Sequence, residues 1–198
     1  MQLAKTLSLK RAGAAKALEE KITAELAYLE MAKVRFKVDI SDRQELGPEG
    51  FDQVEFLIST NVGEDLHPLS KIASGGELSR IMLGIKCILA AADRVELLIF
   101  DEVDTGISGR TSLKIGYKLK QLAQDFQVIC VTHSAQIASV AQAHYRISKE
   151  EEAGRVVCRV QQLDFEGRVT EISRIIGGEA ATPAVIATAE ELLKQGQL

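Results

Sequence analysis

One short stretch indicates the fold class: Leu97-Leu98-Ile99-Phe100-Asp101-Glu102, in which an apolar run is followed by two carboxylates. A second apolar run, Gln127 to Val131, comes after a helical pattern that extends from about Ser108 to Ala123. Short apolar strands joined by a helix are typical of a parallel sheet that is covered on both faces. We therefore predict an α/β fold with a mainly parallel core sheet.

The segments on either side of this core have their own patterns. Upstream, apolar and polar residues alternate from Val34 to Ile40, and the turn 47–50 separates them from a second strand-like run, Val54 to Ser59, which predicts a β-hairpin. An apolar helix is predicted from Gly76 to about Ala92. Downstream we expect a helix at 134–142, strands near 144–149 and 155–162, and helices that begin near Phe165 and Thr182.

The first helix of the chain allows two interpretations. From Leu7 to about Lys33, one helical face carries Leu18, Ile22, Leu26 and Leu29. This periodicity fits a surface helix that packs on the domain, and it fits the end of a coiled coil equally well.

Composition limits the classes of function. The 198 residues carry a formal net charge of −4, so the chain has no overall basic character and any DNA contact must be local. No apolar run is long enough for a membrane helix and the first residues do not form a signal peptide, which predicts a cytoplasmic protein without a membrane partner. Cys87, Cys130 and Cys158 lack metal-binding spacing, and we expect them to be buried, reduced thiols.

The motif Ser74-Gly75-Gly76-Glu77 stands at the start of the apolar helix. The N-terminus of a helix carries partial positive charge, so the N–H groups of Gly75 and Gly76 and the Ser74 hydroxyl suit a phosphate oxygen. A second interpretation needs no ligand, because Ser74 and Glu77 have the spacing of a capping box.

Two strand ends carry the other candidate groups. Acids at the carboxyl end of a parallel strand lie where such sheets bind ligands, so Asp101 and Glu102 are candidates for binding Mg²⁺ and orienting a water. His133 follows the second strand and would lie level with these acids if the two strands are neighbours. The alternatives are acids that merely end a strand and a structural histidine.

The order of these segments resembles that of ABC ATPases, with signature motif, Walker B, D-loop and switch histidine in turn. The runs Ile72 to Arg80, Ile99 to Ile107 and Gln127 to His133 resemble the RecN family, which is related to the SMC proteins. Phe56 to Asn61 and Arg168 to Gly178 extend the resemblance over nearly the whole chain. One departure is Ser134-Ala135, where many relatives have an apolar residue and proline.

The resemblance implies a role for each candidate residue. Asp101 would bind Mg²⁺, Glu102 would polarise the attacking water and His133 would contact the γ-phosphate of ATP. Ser74, Gly75, Gly76 and Glu77 would reach the nucleotide of a second head, and Asp104 would help to couple the two sites. The implied function is ATP hydrolysis between two associated heads during repair of DNA double-strand breaks by recombination, in the cytoplasm and near the nucleoid.

The chain contains no Gly-x-x-x-x-Gly-Lys-Ser/Thr loop to hold the phosphates. The resemblance implies that this Walker A loop belongs to an N-terminal lobe of the same protein, and that residues 1–33 are the end of a coiled-coil arm. Residues 34–198 would then be the C-terminal half of the head, inactive when alone. Two other functions stay open: a non-catalytic assembly module and, less well matched at Glu77, the nucleotide-binding subunit of a transporter.

Overall fold

The computed structural model describes residues 1–72, 74–93, 95–152 and 154–197. They form two compact units, Met1–Glu96 and Leu97–Leu198. Helices and strands are both abundant, so the predicted α/β class is confirmed. No helix in the described ranges is both long enough and apolar enough to cross a membrane.

The first unit is a helix-covered hairpin. The predicted hairpin is present, with Arg35 opposite Ser59 and Ile40 opposite Val54 in an antiparallel register, and Gly50 adopts a positive φ of 91° where the turn enters the second strand. A two-residue third strand pairs with the second. The elements are α1 (Gln2–Tyr28), β1 (Arg35–Gly47), β2 (Gly50–Ser59), β3 (His67–Pro68), a 3-10 turn (Leu69–Lys71) and α2 (Gly75–Asp93).

Helix α1 packs on the hairpin, and α2 packs against α1. Helix α1 ends at Tyr28, earlier than the predicted Lys33, and its apolar residues Ile22 and Leu26, with Leu29 just beyond its end, are almost fully buried. Gly84 of α2 faces Leu26 closely, because an added Cβ would lie 3.3 Å from Leu26 Cδ2. The buried core of this unit contains Ile22, Leu26, Val34, Phe36, Val38, Ile58, Ile81 and Ile85.

Polar contacts also attach α1 to the hairpin. The buried Asp52 carboxylate accepts hydrogen bonds from Arg11 Nη1 and Ser8 Oγ at 2.8 and 2.7 Å. These bonds lower the pKa of Asp52 and keep it ionised. Glu19 Oε1 accepts the Val38 N–H at 2.8 Å, which satisfies a donor on β1. Polar contacts with the hairpin therefore extend along α1 from Ser8 to Glu19, and its continuation as a coiled-coil arm stays a prediction.

The second unit alternates strands and helices. Strands β4 and β5 pair in parallel, as expected, and β6 and β7 form an antiparallel hairpin. The elements are β4 (Leu97–Phe100), α3 (Gly109–Leu122), β5 (Gln127–Cys130), α4 (Ala135–Val140), β6 (His144–Glu152), β7 (Arg155–Leu163), α5 (Phe165–Gly177) and α6 (Pro183–Gln197).

The sheet of β4 and β5 is covered on one face only, which differs from the expected two-sided burial. Leu98 and Phe100 point into the protein, whereas Ile99 is 64% exposed. The same exposed face carries Leu97, Ile129 and Val131. The β6–β7 hairpin also has an exposed apolar face, formed by Tyr145, Ile147, Val156 and Val160. Alternating strand residues point to opposite faces, so each sheet presents one open apolar surface.

The cysteine prediction is partly wrong. All three thiols are free, but Cys158 is exposed and the other two are half-buried. The reason is register: Cys158 lies opposite Lys149, on the same open face of the hairpin as Val156 and Val160.

Helices α4, α5 and α6 share one buried core, and α3 packs on α4. The centre of this core contains Ala135, Ala138, Ile172, Ala189 and Leu193. Close contact between α3 and α4 depends on Gly116, where an added Cβ would lie 2.9 Å from Val140 Cγ2 and 3.4 Å from the Gln136 carbonyl oxygen. Helix α4 begins two residues after His133, so this contact lies in the segment that follows the histidine.

We expect Gly116→Ala to lower the free energy of unfolding by about 1 kcal/mol, since the overpacking penalty exceeds the gain in helix propensity. The matched control is Gly13→Ala in α1, where an added Cβ meets nothing within 4 Å. The control should raise stability by about 0.5 to 1 kcal/mol. Urea unfolding followed by circular dichroism measures both, and equal effects of the two variants would contradict the close α3–α4 contact.

Candidate functional site

Parallel pairing brings the ends of β4 and β5 to the same edge. Phe100 lies opposite Cys130, and the pairing continues through a hydrogen bond of 2.9 Å from Val131 N to the Phe100 carbonyl. Asp101 and Glu102 therefore leave β4 beside the segment that leads from β5 to His133. The two strands are neighbours, which was the condition for His133 to lie level with the acids.

The two acids form a tight turn. Asp101 Oδ1 accepts the Glu102 N–H at 2.9 Å, and the Glu102 carbonyl accepts the Thr105 N–H at 3.1 Å. Glu102 has a φ of 56°, a left-handed conformation that costs a non-glycine residue about 1 to 2 kcal/mol. Such backbone positions are frequent in active sites. Both side chains are exposed, so a ligand can reach them.

Asp104 occupies a different environment from these two acids. Its side chain is only 2% exposed. The carboxylate oxygen Oδ2 accepts a hydrogen bond from Thr132 Oγ1 and another, of 2.9 Å, from the His133 backbone N–H. The same oxygen lies 3.4 Å from His133 Nδ1. Asp104 thus faces the segment of its own unit that carries His133.

Cys130, the last residue of β5, carries a thiol, which is a potential nucleophile. Burial, reinforced by the negative charges of Asp104 and Asp101, raises the pKa of the Cys130 thiol to about 12. The thiol therefore stays protonated near neutral pH and does not act as a nucleophile.

The predicted phosphate-binding motif belongs to the first unit. Ser74 precedes the first residue of α2 and is exposed, as is Gly75, whereas Gly76 is buried. The Ser74 carbonyl accepts the Leu78 N–H at 3.0 Å, and Ser74 Oγ receives the Glu77 N–H at 3.4 Å. The capping interpretation thus has structural support, and the long side-chain bond leaves the hydroxyl open to a ligand. Ala73, the preceding motif residue, lies outside the described residues.

Two residues that support the site were missed from the sequence. Thr132 makes the contact with Asp104 described above. Arg168 Nη2 donates to the carbonyl oxygens of Ala141, Ser139 and Ala138 at 2.7, 3.3 and 3.5 Å, which satisfies the end of α4. The available signal was an arginine four residues before Ile172, on the buried face of α5.

The exposed acids fit a hard divalent cation. Asp101 uses one oxygen for a single backbone hydrogen bond, which leaves carboxylate oxygen ligands of the kind that Mg²⁺ prefers. Magnesium in nucleotide sites is commonly held by one or two carboxylates together with phosphate oxygens and waters. The donor set of this edge is therefore compatible with Mg²⁺ and a nucleotide phosphate.

Known proteins similar in sequence identify the relatives of this chain. A protein of Treponema pallidum named DNA repair protein RecN is 43% identical over 97% of this chain. The RecN proteins of Vibrio cholerae and Bacillus subtilis are 42% and 44% identical over 90% and 91% of it. Over most of its length the chain is similar to the C-terminal part of the RecN proteins. It spans about a third of their length, with 35%, 32% and 34% of each relative covered.

Solved structures agree on the fold. The SMC head domain of Pyrococcus yayanosii, solved with a coiled coil and joint, matches 83% of this chain and 29% of its own, with a TM-score of 0.59 and 16% identity. A structure from work on ATP-driven dimerization and DNA-stimulated activation of SMC ATPases matches 84% of this chain and 96% of its own, with a TM-score of 0.53 and 16% identity. No protein-family model matches the chain. The RecN-like sequence thus has an SMC-head fold.

We expect Glu102→Gly to raise the free energy of unfolding by about 1 kcal/mol, because glycine adopts a positive φ without the steric cost. Glu179→Gly is the matched control, since Glu179 is an exposed glutamate without a positive φ. That change should lower stability by about 0.5 kcal/mol through the entropy of the unfolded chain. Urea unfolding measures both, and a loss of stability at position 102 would be inconsistent with the left-handed conformation.

Proposed function

We propose that this chain is the C-terminal half of an ATPase head in a longer RecN-like protein, and that this protein hydrolyses ATP during the repair of DNA double-strand breaks by recombination. The observation that carries the proposal is the edge of β4 and β5, where exposed Asp101 and Glu102 lie beside the segment that bears exposed His133. The sequence identity of 43% to a RecN protein over 97% of the chain supports the proposal. The proposed location is the cytoplasm, in association with the nucleoid.

The acids and the histidine have separate roles in the proposal. Asp101 binds Mg²⁺, which neutralises charge on the phosphates when it is bound. Glu102 accepts a hydrogen bond from the attacking water and orients it towards the γ-phosphate. His133 donates to a γ-phosphate oxygen. Catalysis of this kind consists mainly of positioning and charge stabilisation, so small displacements of these groups are costly.

The start of α2 acts on a second nucleotide in this proposal. The Ser74 hydroxyl and the N–H groups of Gly75 and Gly76 face the phosphates of ATP held by another copy of the head, with Glu77 beside them. The partial positive charge of the helix N-terminus favours such an anion. Asp104 contributes to coupling of the two sites. The active form is then a homodimer with two ATP molecules between its heads.

An N-terminal lobe of the same protein completes each head in this proposal. That lobe supplies the Gly-x-x-x-x-Gly-Lys-Ser/Thr loop, which this chain does not contain. The exposed apolar faces of the two sheets support this part of the proposal, because apolar surfaces of this kind are normally covered by a partner. The open edge of a two-stranded parallel sheet supports it as well.

The arm and DNA complete the proposal. Residues 1–33 form the end of a coiled-coil arm that leads into the head, in agreement with the exposed Leu3 and Leu9 in the first turns of α1. DNA is the macromolecular partner. It is bound locally, since the chain has a formal net charge of −4.

We expect Glu102→Gln in the longer protein to lower kcat for ATP hydrolysis about 100-fold or more, because an amide cannot accept the proton of the attacking water. The dissociation constant for ATP should change little, since the amide has nearly the same size. Steady-state hydrolysis and equilibrium binding of a fluorescent ATP analogue measure the two quantities. The control is Glu166→Gln, an exposed glutamate in the first turn of α5, which should retain the parent rate.

The chain by itself is a second control for the same experiment. Without the phosphate-binding loop we expect neither tight ATP binding nor turnover. Hydrolysis by the chain alone that Glu102→Gln abolishes would contradict the need for an N-terminal lobe, and equal hydrolysis by mutant and parent longer protein would contradict the catalytic role.

We expect Ser74→Asp to abolish ATP-dependent association of heads, because its negative charge would lie beside a phosphate. Aspartate is a good N-terminal capping residue, so α2 itself should be preserved. Ser74→Asn is the matched control, with a similar capping side chain and no charge. Analytical ultracentrifugation with and without ATP distinguishes the outcomes, and equal association of both variants would argue against contact between Ser74 and a nucleotide.

A further inference from the structure

A buried carboxylate lies behind an exposed histidine in the second unit. The Asp104 side chain is 2% exposed, whereas the His133 side chain is 79% exposed. A buried charged group is stable only when donors compensate for the loss of water. The hydrogen-bond donors around Asp104 therefore show how its buried charge is stabilised.

The donors come from the segment that carries the histidine. Thr132 Oγ1 and the His133 backbone N–H both bond to Asp104 Oδ2. Thr132 Oγ1 also accepts the Ser134 N–H at 3.0 Å. The Thr132 hydroxyl has a single proton. Because its oxygen accepts the Ser134 N–H, that proton is directed towards Asp104. Thr132 and His133 are thus bonded to one carboxylate oxygen, and Ser134 is joined to it through the Thr132 hydroxyl.

The arrangement also orients the imidazole ring. Asp104 Oδ2 lies 3.4 Å from His133 Nδ1, so this edge of the ring faces the carboxylate and Nε2 lies on the far side. The exposed side of the ring is the side available to a ligand. A backbone anchor and a ring contact from the same carboxylate restrict both the position and the rotation of His133.

We propose that Thr132 and Asp104 are positioning residues. This Asp104–Thr132 pair holds His133 in place to contact the γ-phosphate, and the inference rests on the proposed ATPase function. The pair acts through His133 and does not touch the nucleotide. Asp104 therefore has a task within its own head in addition to any part in coupling two heads. Thr132 contributes the hydroxyl that bonds to the buried carboxylate.

The experiment uses the longer protein with Thr132→Val, which keeps the shape of the side chain and removes its hydroxyl. We expect kcat for ATP hydrolysis to fall about tenfold while KM for ATP changes less than about threefold, because ATP binding depends mainly on the phosphate-binding loop of the N-terminal lobe, whereas the rate depends on the exact placement of His133. Thr132→Ser restores the hydroxyl and should recover kcat to within about threefold of the parent. Thr188→Val, at an exposed threonine of α6, controls for the change of residue type.

A double-mutant cycle with His133→Gln tests whether the pair acts through the histidine. In the His133→Gln background we expect Thr132→Val to change kcat less than about twofold, since the group that it positions is gone. An equal loss in both backgrounds, or a parent kcat for Thr132→Val, would overturn the inference. If Thr132→Val does not fold, Thr132→Ala removes the same hydroxyl and takes its place in the cycle.

The proposed function and the positioning inference fail in different ways. If Glu102→Gln hydrolyses ATP as fast as the parent, the assignment of the site is wrong. If Glu102→Gln is inactive but Thr132→Val is as active as the parent, the site is correctly assigned and the Asp104–Thr132 pair has no positioning role.

Discussion

Parallel hydrogen bonding between β4 and β5 determines where the candidate groups of the second unit lie. In a parallel pair the carboxyl ends of both strands reach the same edge, so the residues that follow Phe100 and Cys130 emerge side by side. The acids and the histidine are 31 or 32 residues apart in sequence, and strand register is what brings their segments together. Strand pairing brings the segments together. The turn at Glu102 and the hydrogen bonds to Asp104 then fix the positions of individual residues within them.

Much of the fold was predictable because its signals are local. The apolar runs of β4 and β5, the alternation of β1 and the Gly-rich turn after it each involve a few adjacent residues. The Thr132 contact and the Arg168 contact with α4 were not predictable, since each joins residues about 30 positions apart. The uncovered sheet face was missed for another reason. A continuous apolar strand indicates that both faces are to be buried, but it does not say which chain segment covers them.

The two units carry different kinds of candidate groups. The second unit contains a complete local arrangement of acids, threonine and histidine, held by hydrogen bonds between its own residues. The first unit offers a helix start, whose attraction for an anion arises from backbone N–H groups and needs no particular partner side chain. Side-chain chemistry and backbone electrostatics are thus separated along the chain, on either side of residue 96.

The left-handed backbone at Glu102 determines which substitutions at this position would increase folding stability. Mutations arise without regard to function, and at a left-handed position a change to glycine is favoured by folding energetics. Selection for stability alone would therefore move this position away from glutamate. A carboxylate at such a position lowers folding stability relative to glycine. That loss of stability is a measure of what the side chain must contribute elsewhere.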